Sequence, residues 1–301
     1  LADEKPTTEP GLVIGAHGRH YVVELADGSV LNCHPKGKKS LLACGDRVKV
    51  RRTARDQGAI ESTDERNSLL YRSDQYREKI IAANVSQVLI VVAGKPAFHE
   101  ELLVRCLAAA EQQRLKVLIV LNKIDLESET LAAYERLKLY ERLGYPLLRL
   151  AAKEDVAPLR PHLQSETSVL VGQSGMGKSR IVKGLFPGET IRIADISERL
   201  DTGKHTTTSA RLYHLGAASH LIDSPGMQTF GLHHLSHAEL IDSFPEFRLL
   251  AGACRFTDCR HVVEPGCAIL AAVNEGRIEP RRWETYRVLM EELARKPPAW
   301  A

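Results

Sequence analysis

A chain of 301 residues with 44% apolar side chains is long enough for one to three domains with real cores. Its formal charge of +3 is too nearly balanced for bulk charge alone to argue for nucleic acid, and no apolar run approaches the ~18 residues of a membrane span. No signal peptide is legible, and three of the six cysteines crowd into residues 254–267, the distribution of a cytoplasmic protein that uses thiols for metal rather than disulfides.

Residues 1–10, polar with two prolines, read as a flexible lead-in. Over 11–66 the pattern turns to short β-like runs: Leu12–Ala16, Tyr21–Leu25, Val30–Cys33, Arg47–Arg51 and Ala59–Glu61, with a hairpin signal at Ala26-Asp27-Gly28-Ser29. Five such strands suggest a small Greek-key barrel of the OB type. Lys36, Lys38, Lys39, Arg47, Lys49, Arg51, Arg52 and Arg55 crowd its second half. They suit an RNA-binding face, although Tyr21 is the one aromatic available for base stacking. The alternative is a solvated basic face on a scaffold.

From residue 67 to 229 strands alternate with helices, the signature of a mostly parallel sheet covered on both faces. Val88–Val92, Val117–Leu121, Pro146–Leu150 and Ser168–Val171 are buried-strand runs; Glu100–Gln113, Thr130–Leu143 and Lys178–Leu185 are helical; Leu212–Leu215 and His220–Ile222 follow as strands. Ligands bind at the carboxyl ends of such strands, and that is where the motifs fall. Gly172-Gln173-Ser174-Gly175-Met176-Gly177-Lys178-Ser179 fits the phosphate loop G-x-x-x-x-G-K-[ST] between a strand and a helix. Its glycines let backbone N–H groups face an anion at a helix N-terminus. Lys178 is expected on the β- and γ-phosphates and Ser179 on Mg²⁺, the site running on into Arg180. A chance glycine-rich turn is the alternative.

Asn122-Lys123-Ile124-Asp125 ends another buried strand. Guanine offers two adjacent donors that one carboxylate, Asp125, can accept together; adenine would leave that charge half-paired, so the pattern selects GTP and GDP over adenine nucleotides. Asn122 is expected to brace the loop, the Lys123 stem to cover the base, and Ala152 to present its N–H to the guanine carbonyl, with Ala151 where GTPases usually carry a serine. Asp223-Ser224-Pro225-Gly226 matches the element that senses the γ-phosphate, with Asp223 near Mg²⁺ and the Gly226 N–H towards the phosphate. A threonine of 206–208, most simply Thr207, would complete the Mg²⁺ shell. The guanine motif precedes the phosphate loop here and Asp-x-x-Gly comes last, so the order is that of a circularly permuted GTPase. Met227 stands where Ras-type enzymes place the water-orienting glutamine.

Residues 230–301 read as a mostly helical unit carrying Cys254, Cys259, His261 and Cys267. Three thiolates and an imidazole suit a closed, structural zinc site, one ion per chain. Buried thiols or a disulfide with one spare cysteine are the alternatives. A helix over Ile278–Leu293 carries Arg281, Arg282 and Arg287, with Arg277 just before; these suit phosphate contact or a solvated face equally.

With barrel, permuted motifs and cysteine cluster in hand, the chain resembles the ribosome small-subunit-dependent GTPase A family of bacteria over residues 11–295. The likeness includes Gly45-Asp46-Arg47-Val48, Lys204–Thr208 and Phe244-Pro-Glu-Phe247. The resemblance implies an OB barrel, a circularly permuted P-loop GTPase domain and a zinc domain, acting in late maturation of the small (30S) subunit through its 16S rRNA. It implies GTP hydrolysis, low alone and stimulated by the subunit. His205, which the family shares, is the candidate to replace the missing glutamine, beside catalytic Thr207, Lys178 and Asp223. A cytoplasmic monomer free of membranes is expected. An RNA-binding assembly scaffold with a vestigial nucleotide site competes, as does a P-loop ATPase or kinase, which Asp125 disfavours.

Overall fold

The structure, a computed structural model, describes residues 7–37, 41–73, 78–188, 210–224 and 230–295. Strands β1 (Glu9–His17), β2 (His20–Leu25), β3 (Val30–Pro35), β4 (Arg47–Ala54) and β5 (Gln57–Thr63) pair in the order 1-2-3-5-4, and β1 closes on β4. β3 and β5 run parallel and the other pairs antiparallel, the topology of an OB barrel. Strand alternation sends Val13, Tyr21, Val23, Leu31, Val48, Val50 and Ile60 inward to a core of their own. Tyr21, only 4% exposed, is therefore a core residue and no platform for a base.

Two further expectations change. Glu9 and Pro10 pair with Val50 and Lys49, so the lead-in is already strand at its end; residues 1–6 lie outside the described ones. The basic half of the barrel is partly neutralised within itself. Lys36 and Arg51 share Glu61 at 2.7 and 2.9 Å, and Arg52 meets Glu9 and Asp27 at 2.8 and 3.0 Å. Lys38 and Lys39 lie outside the described residues.

A two-stranded sheet, β6 (Leu69–Ser73) with β7 (Glu78–Ala83), follows. The second sheet region holds β8 (Gln87–Ala93), β9 (Lys116–Asn122), β10 (Leu147–Leu150), β11 (Thr167–Val171), β12 (Ala210–Gly216) and β13 (Ser219–Asp223), in the order 10-9-8-11-13-12. All its pairings are parallel except β12 with β13. β8 is buried along its whole length, as a central strand with helices on both sides must be. Helices α1 (Glu100–Gln112), α2 (Glu127–Arg142) and α3 (Lys178–Leu185) connect it.

The barrel is not a separate bead. β12 pairs antiparallel with β1, Gly15 opposite Arg211 and Ala16 opposite Ala210, so both regions form one eleven-stranded sheet. The Gly45-Asp46 turn makes the second contact. The Cys44 carbonyl accepts from the Ala83 N–H at 2.9 Å, and a Cβ on Gly45, whose φ is +92°, would collide with the Ala83 carbonyl. Buried Asp46 holds this turn, accepting from the Ala43 N–H at 2.8 Å and from Arg66 through both oxygens at 2.7 and 2.8 Å.

The chain ends in α4 (His237–Asp242), α5 (Pro245–Arg248), α6 (Ala268–Asn274) and α7 (Pro280–Ala294). Ser236 and Glu239 close a capping box on α4. This segment has no core of its own: Phe230, Leu240, Phe244, Phe247, Ile269, Tyr286 and Leu289 join the hydrophobic cluster of the central sheet. Arg282, 2% exposed, forks onto Glu246 at 2.6 and 3.2 Å and lies 4.5 Å over the Phe244 ring. Arg281 donates to Glu100 and to the Arg136 carbonyl. Arg277 and Arg287 pair with Glu275 and Glu291. Arg281 thus docks the C-terminal segment on α1 and α2 and Arg282 is buried within that segment, while Arg277 and Arg287 stay on its solvated face. Glu246→Ala is expected to destabilise this region by about 3–5 kcal/mol, because it leaves a buried guanidinium unpaired; denaturant unfolding followed by tryptophan fluorescence measures it.

Candidate nucleotide site and metal centre

β11 delivers the phosphate loop at the carboxyl edge of the sheet. Gly172 has φ +140° and a Cβ there would strike the Val91 carbonyl, so the loop can leave the strand only through glycine. Gly177, φ +99°, begins α3 in the left-handed region. Lys178 Nζ donates back to the Gly172 and Gln173 carbonyls at 2.7 and 2.8 Å. Burial lowers the Lys178 ammonium below the usual lysine range, and Asp223 opposes this. Met176 is fully buried, whereas Ser174, Gly175, Ser179 and Arg180 are exposed. Gln173 accepts from the His99 N–H at 2.7 Å, which ties the loop to the start of α1.

Asn122, buried at the end of β9, joins the two halves of the site. Its Nδ2 donates to the Met176 carbonyl at 2.9 Å and its Oδ1 accepts from the Ala152 N–H at 3.0 Å. Asn122 thus links the phosphate loop to the segment that carries Ala152. The Ala152 amide is engaged by that same oxygen, so a guanine carbonyl would have to share it. Lys123 turns the chain at φ +64°, its carbonyl accepting from Leu126 N–H and Thr130 Oγ1 at 3.0 and 3.2 Å. The Ile124 N–H donates to Leu150 at 3.3 Å. Asp125, held on this turn, is exposed, and its carboxylate forms no hydrogen bond or ion pair among the described residues. It is free for a ligand.

The segment after β8 escaped the sequence reading. Lys123 Nζ donates to the Lys95 carbonyl at 2.9 Å, Pro96 packs against Gly175, and His99 holds Gln173. The loop at 94–99 therefore forms a wall shared by the phosphate and base loops. Its signal was positional: Gly94-Lys95-Pro96 ends the central strand at the carboxyl edge. Asp223, at the end of β13, faces the phosphate loop. Burial pushes its carboxyl up to about 6 against the pull of Lys178 and Arg211. Ser224 Oγ donates to the Leu170 carbonyl at 2.6 Å and anchors the chain there. His205, Thr206, Thr207, Thr208, Gly226 and Met227 lie outside the described residues.

The second constellation is compact. One ligand atom from each of Cys254, Cys259, His261 and Cys267 lies within 4.8 Å of the others, and the four can hold a metal ion. His261 Nδ1 is 3.5 Å from Cys254 Sγ and 3.4 Å from Cys267 Sγ, and the two sulfurs are 3.9 Å apart, close to the edges of a tetrahedron around one ion. Burial pushes the Cys259 thiol up to about 12 and raises Cys267 as well, so a thiolate at either position is favoured only with a cation beside it. The surroundings hold the loop. Trp283 Nε1 donates to the His261 carbonyl at 2.8 Å and Tyr286 OH to the Arg260 carbonyl at 2.9 Å. Burial raises the Glu264 carboxyl, but N–H groups of Val262, Glu264, Val263 and Arg260 outweigh it and hold the group near 2.

Comparison with known proteins agrees with this geometry. The family model described as RsgA GTPase matches residues 63–233. The small ribosomal subunit biogenesis GTPase RsgA of Ralstonia pickettii is 51% identical over 97% of this chain and 95% of its own length. That of Nitrosospira multiformis is 52% identical over 94% and 90%. Among solved structures, YjeQ from Thermotoga maritima superposes with a TM-score of 0.72 at 29% identity, covering 96% of this chain and all of that one. YloQ, a circularly permuted GTPase, gives 0.69 at 25%, covering 97% of each. With half its residues shared with such relatives over nearly its full length, and the permuted order of its nucleotide loops, this chain belongs to the RsgA GTPase family.

Proposed function

We propose that this protein hydrolyses GTP in the biogenesis of the small ribosomal subunit, binding that subunit through its 16S rRNA, in the cytoplasm and as a monomer. The observation that carries the reading is Asn122, which ties Met176 of the phosphate loop to Ala152 and places free Asp125 beside them. A vestigial nucleotide site would have no reason to retain this bracing together with Lys178 and Asp223. Residues 172–180 would cradle the phosphates, with Lys178 leaving its loop carbonyls for the β- and γ-phosphates. Asp125 would read guanine under the Lys123 stem, and the Gly226 N–H would meet the γ-phosphate. Ser179, Thr207 and Asp223 would hold Mg²⁺, which neutralises charge on the phosphates. With Met227 unable to orient water, His205 is the residue assigned to that task. His205→Ala is expected to retain GTP affinity and lose most subunit-stimulated turnover; equal stimulated turnover would move that role elsewhere. Zinc is the ion assigned to the cysteine cluster, and the functional division proposed is a barrel to residue 66 that starts with β1 at Glu9 rather than at residue 11, then 67–229 and 230–301.

A route from nucleotide to C-terminal segment supports coupling. Arg105 of α1 donates to the Phe230 carbonyl at 3.4 Å and to Glu292 of α7 at 3.1 Å, and Glu292 also meets His233 at 3.1 Å. Phe230 lies four residues past Gly226. By linkage, a subunit that favours the GTP-ordered loops must be bound more tightly with GTP. Sedimentation with purified small subunits tests the reading: binding is expected to be tighter with a non-hydrolysable GTP analogue than with GDP, and to weaken with salt. Equal affinity in both states would defeat the coupling. Glu292→Ala should reduce the ratio between the two states while sparing nucleotide affinity.

A further inference from the structure

A cavity of about 650 Å³ lies outside the nucleotide site, between α7 and the loop that carries His261. Its lining includes Val262, Val263, Trp283 and Val288, with Glu101, Glu284 and Arg287 on it as well. Three features mark it as a built surface. Val263 is 82% exposed and Val288 41% exposed, an apolar pair where a surface would ordinarily be polar. The loop presenting Val263 is held firmly: Glu264 accepts from the backbone N–H groups of Arg260, Val262 and Val263 at 3.0, 2.8 and 3.0 Å. The Trp283 ring is fixed by its bond to the His261 carbonyl. The apolar groups are thus held in place in advance, so their ordering costs little on binding.

The charges say what can occupy the groove. Arg287 is paired with Glu291 at 2.7 Å, and Arg105 serves both Glu101 and Glu292. Glu284 is exposed and has no hydrogen bond or ion pair among the described residues. Of the charged groups that line the groove, carboxylates Glu101 and Glu284 outnumber the single guanidinium Arg287, and Glu284 alone of them has no ion-pair partner among the described residues. Such a rim repels a phosphate backbone and attracts a cation, while the floor takes an apolar side chain.

We propose that this groove docks a basic protein segment, one apolar side chain seated against Trp283, Val263 and Val288 and a lysine or arginine on Glu284. The inference rests on the reading that the protein works on a ribonucleoprotein particle, where basic protein segments and RNA are both at hand; the acidic rim chooses the protein.

The test uses the full-length, metal-loaded protein and purified small subunits with a non-hydrolysable GTP analogue. Val263→Ser and Glu284→Lys are each expected to weaken subunit binding by about fivefold or more. Their melting temperatures should be unchanged, since both side chains face solvent. Leu131→Ser, at an exposed leucine of α2, should bind like the parent. A photo-crosslinking amino acid at position 263 is expected to join a lysine- or arginine-rich peptide of a subunit protein. Adducts with rRNA, with a second copy of this chain or with its own C-terminal residues would each overturn the proposal. So would parental affinity in both groove variants. A parent that fails to bind subunits at all would overturn the proposed function itself, and the inference with it.

Discussion

Asp125→Asn is expected to lower GTP affinity by about a hundredfold or more, since it removes two charge-assisted hydrogen bonds to the base. It should make xanthosine triphosphate the preferred nucleotide. The amide can donate to the carbonyl that xanthine carries in place of the guanine amine, whereas it meets that amine with no matching pair of acceptors. The structure makes this a clean experiment. Asp125 is exposed and bonds to nothing among the described residues, so its replacement removes no support from the fold. The turn that carries it is held by Lys123, Leu126 and Thr130, none of which is altered. Titration of parent and variant with fluorescent GTP and xanthosine triphosphate reads the outcome. A variant that keeps its preference for GTP would remove the basis for assigning Asp125 to the base.

Metal removal should have the other large effect. One zinc per chain is expected, and binding energy in such small sites is folding energy of about 10–16 kcal/mol. Chelation, or Cys267→Ser, should therefore unfold the segment around residues 254–267. The damage should spread further than in an independently folded zinc module. Trp283 and Tyr286 of α7 anchor on the His261 and Arg260 carbonyls, and Tyr286 lies in the same core as the central sheet. A loosened α7 would also release Glu292 from Arg105 and hence the restraint on Phe230. Chelated protein is expected to show altered tryptophan fluorescence and a smaller GTP-versus-GDP difference in subunit binding. Native protein without zinc, with titratable thiols at Cys254, Cys259 and Cys267, would defeat the assignment.

The sequence by itself determined the parts whose chemistry is local. Gly172–Ser179 and Asn122–Asp125 announce themselves because a phosphate cradle and a guanine-reading carboxylate need fixed residue types within a few positions of one another. The cysteine cluster does so because four ligands must reach one ion from a short loop. The barrel strands were legible because alternation along a strand is a property of neighbours in the chain, and the permutation is simply the order of the motifs. Tertiary structure decided whatever depends on distant partners. Tyr21 looked like a surface aromatic until the register of β2 turned it inward. Lys36, Arg51 and Arg52 looked free until strand pairing brought Glu61, Glu9 and Asp27 beside them. Arg281 and Arg282 suited phosphate contact or a solvated face equally until Glu100 and Glu246 were seen to pair with them. The union of barrel and central sheet through β1 and β12 could not be read at all, for the two strands lie nearly two hundred residues apart, and a sheet edge carries no mark in sequence of the strand that will pair with it.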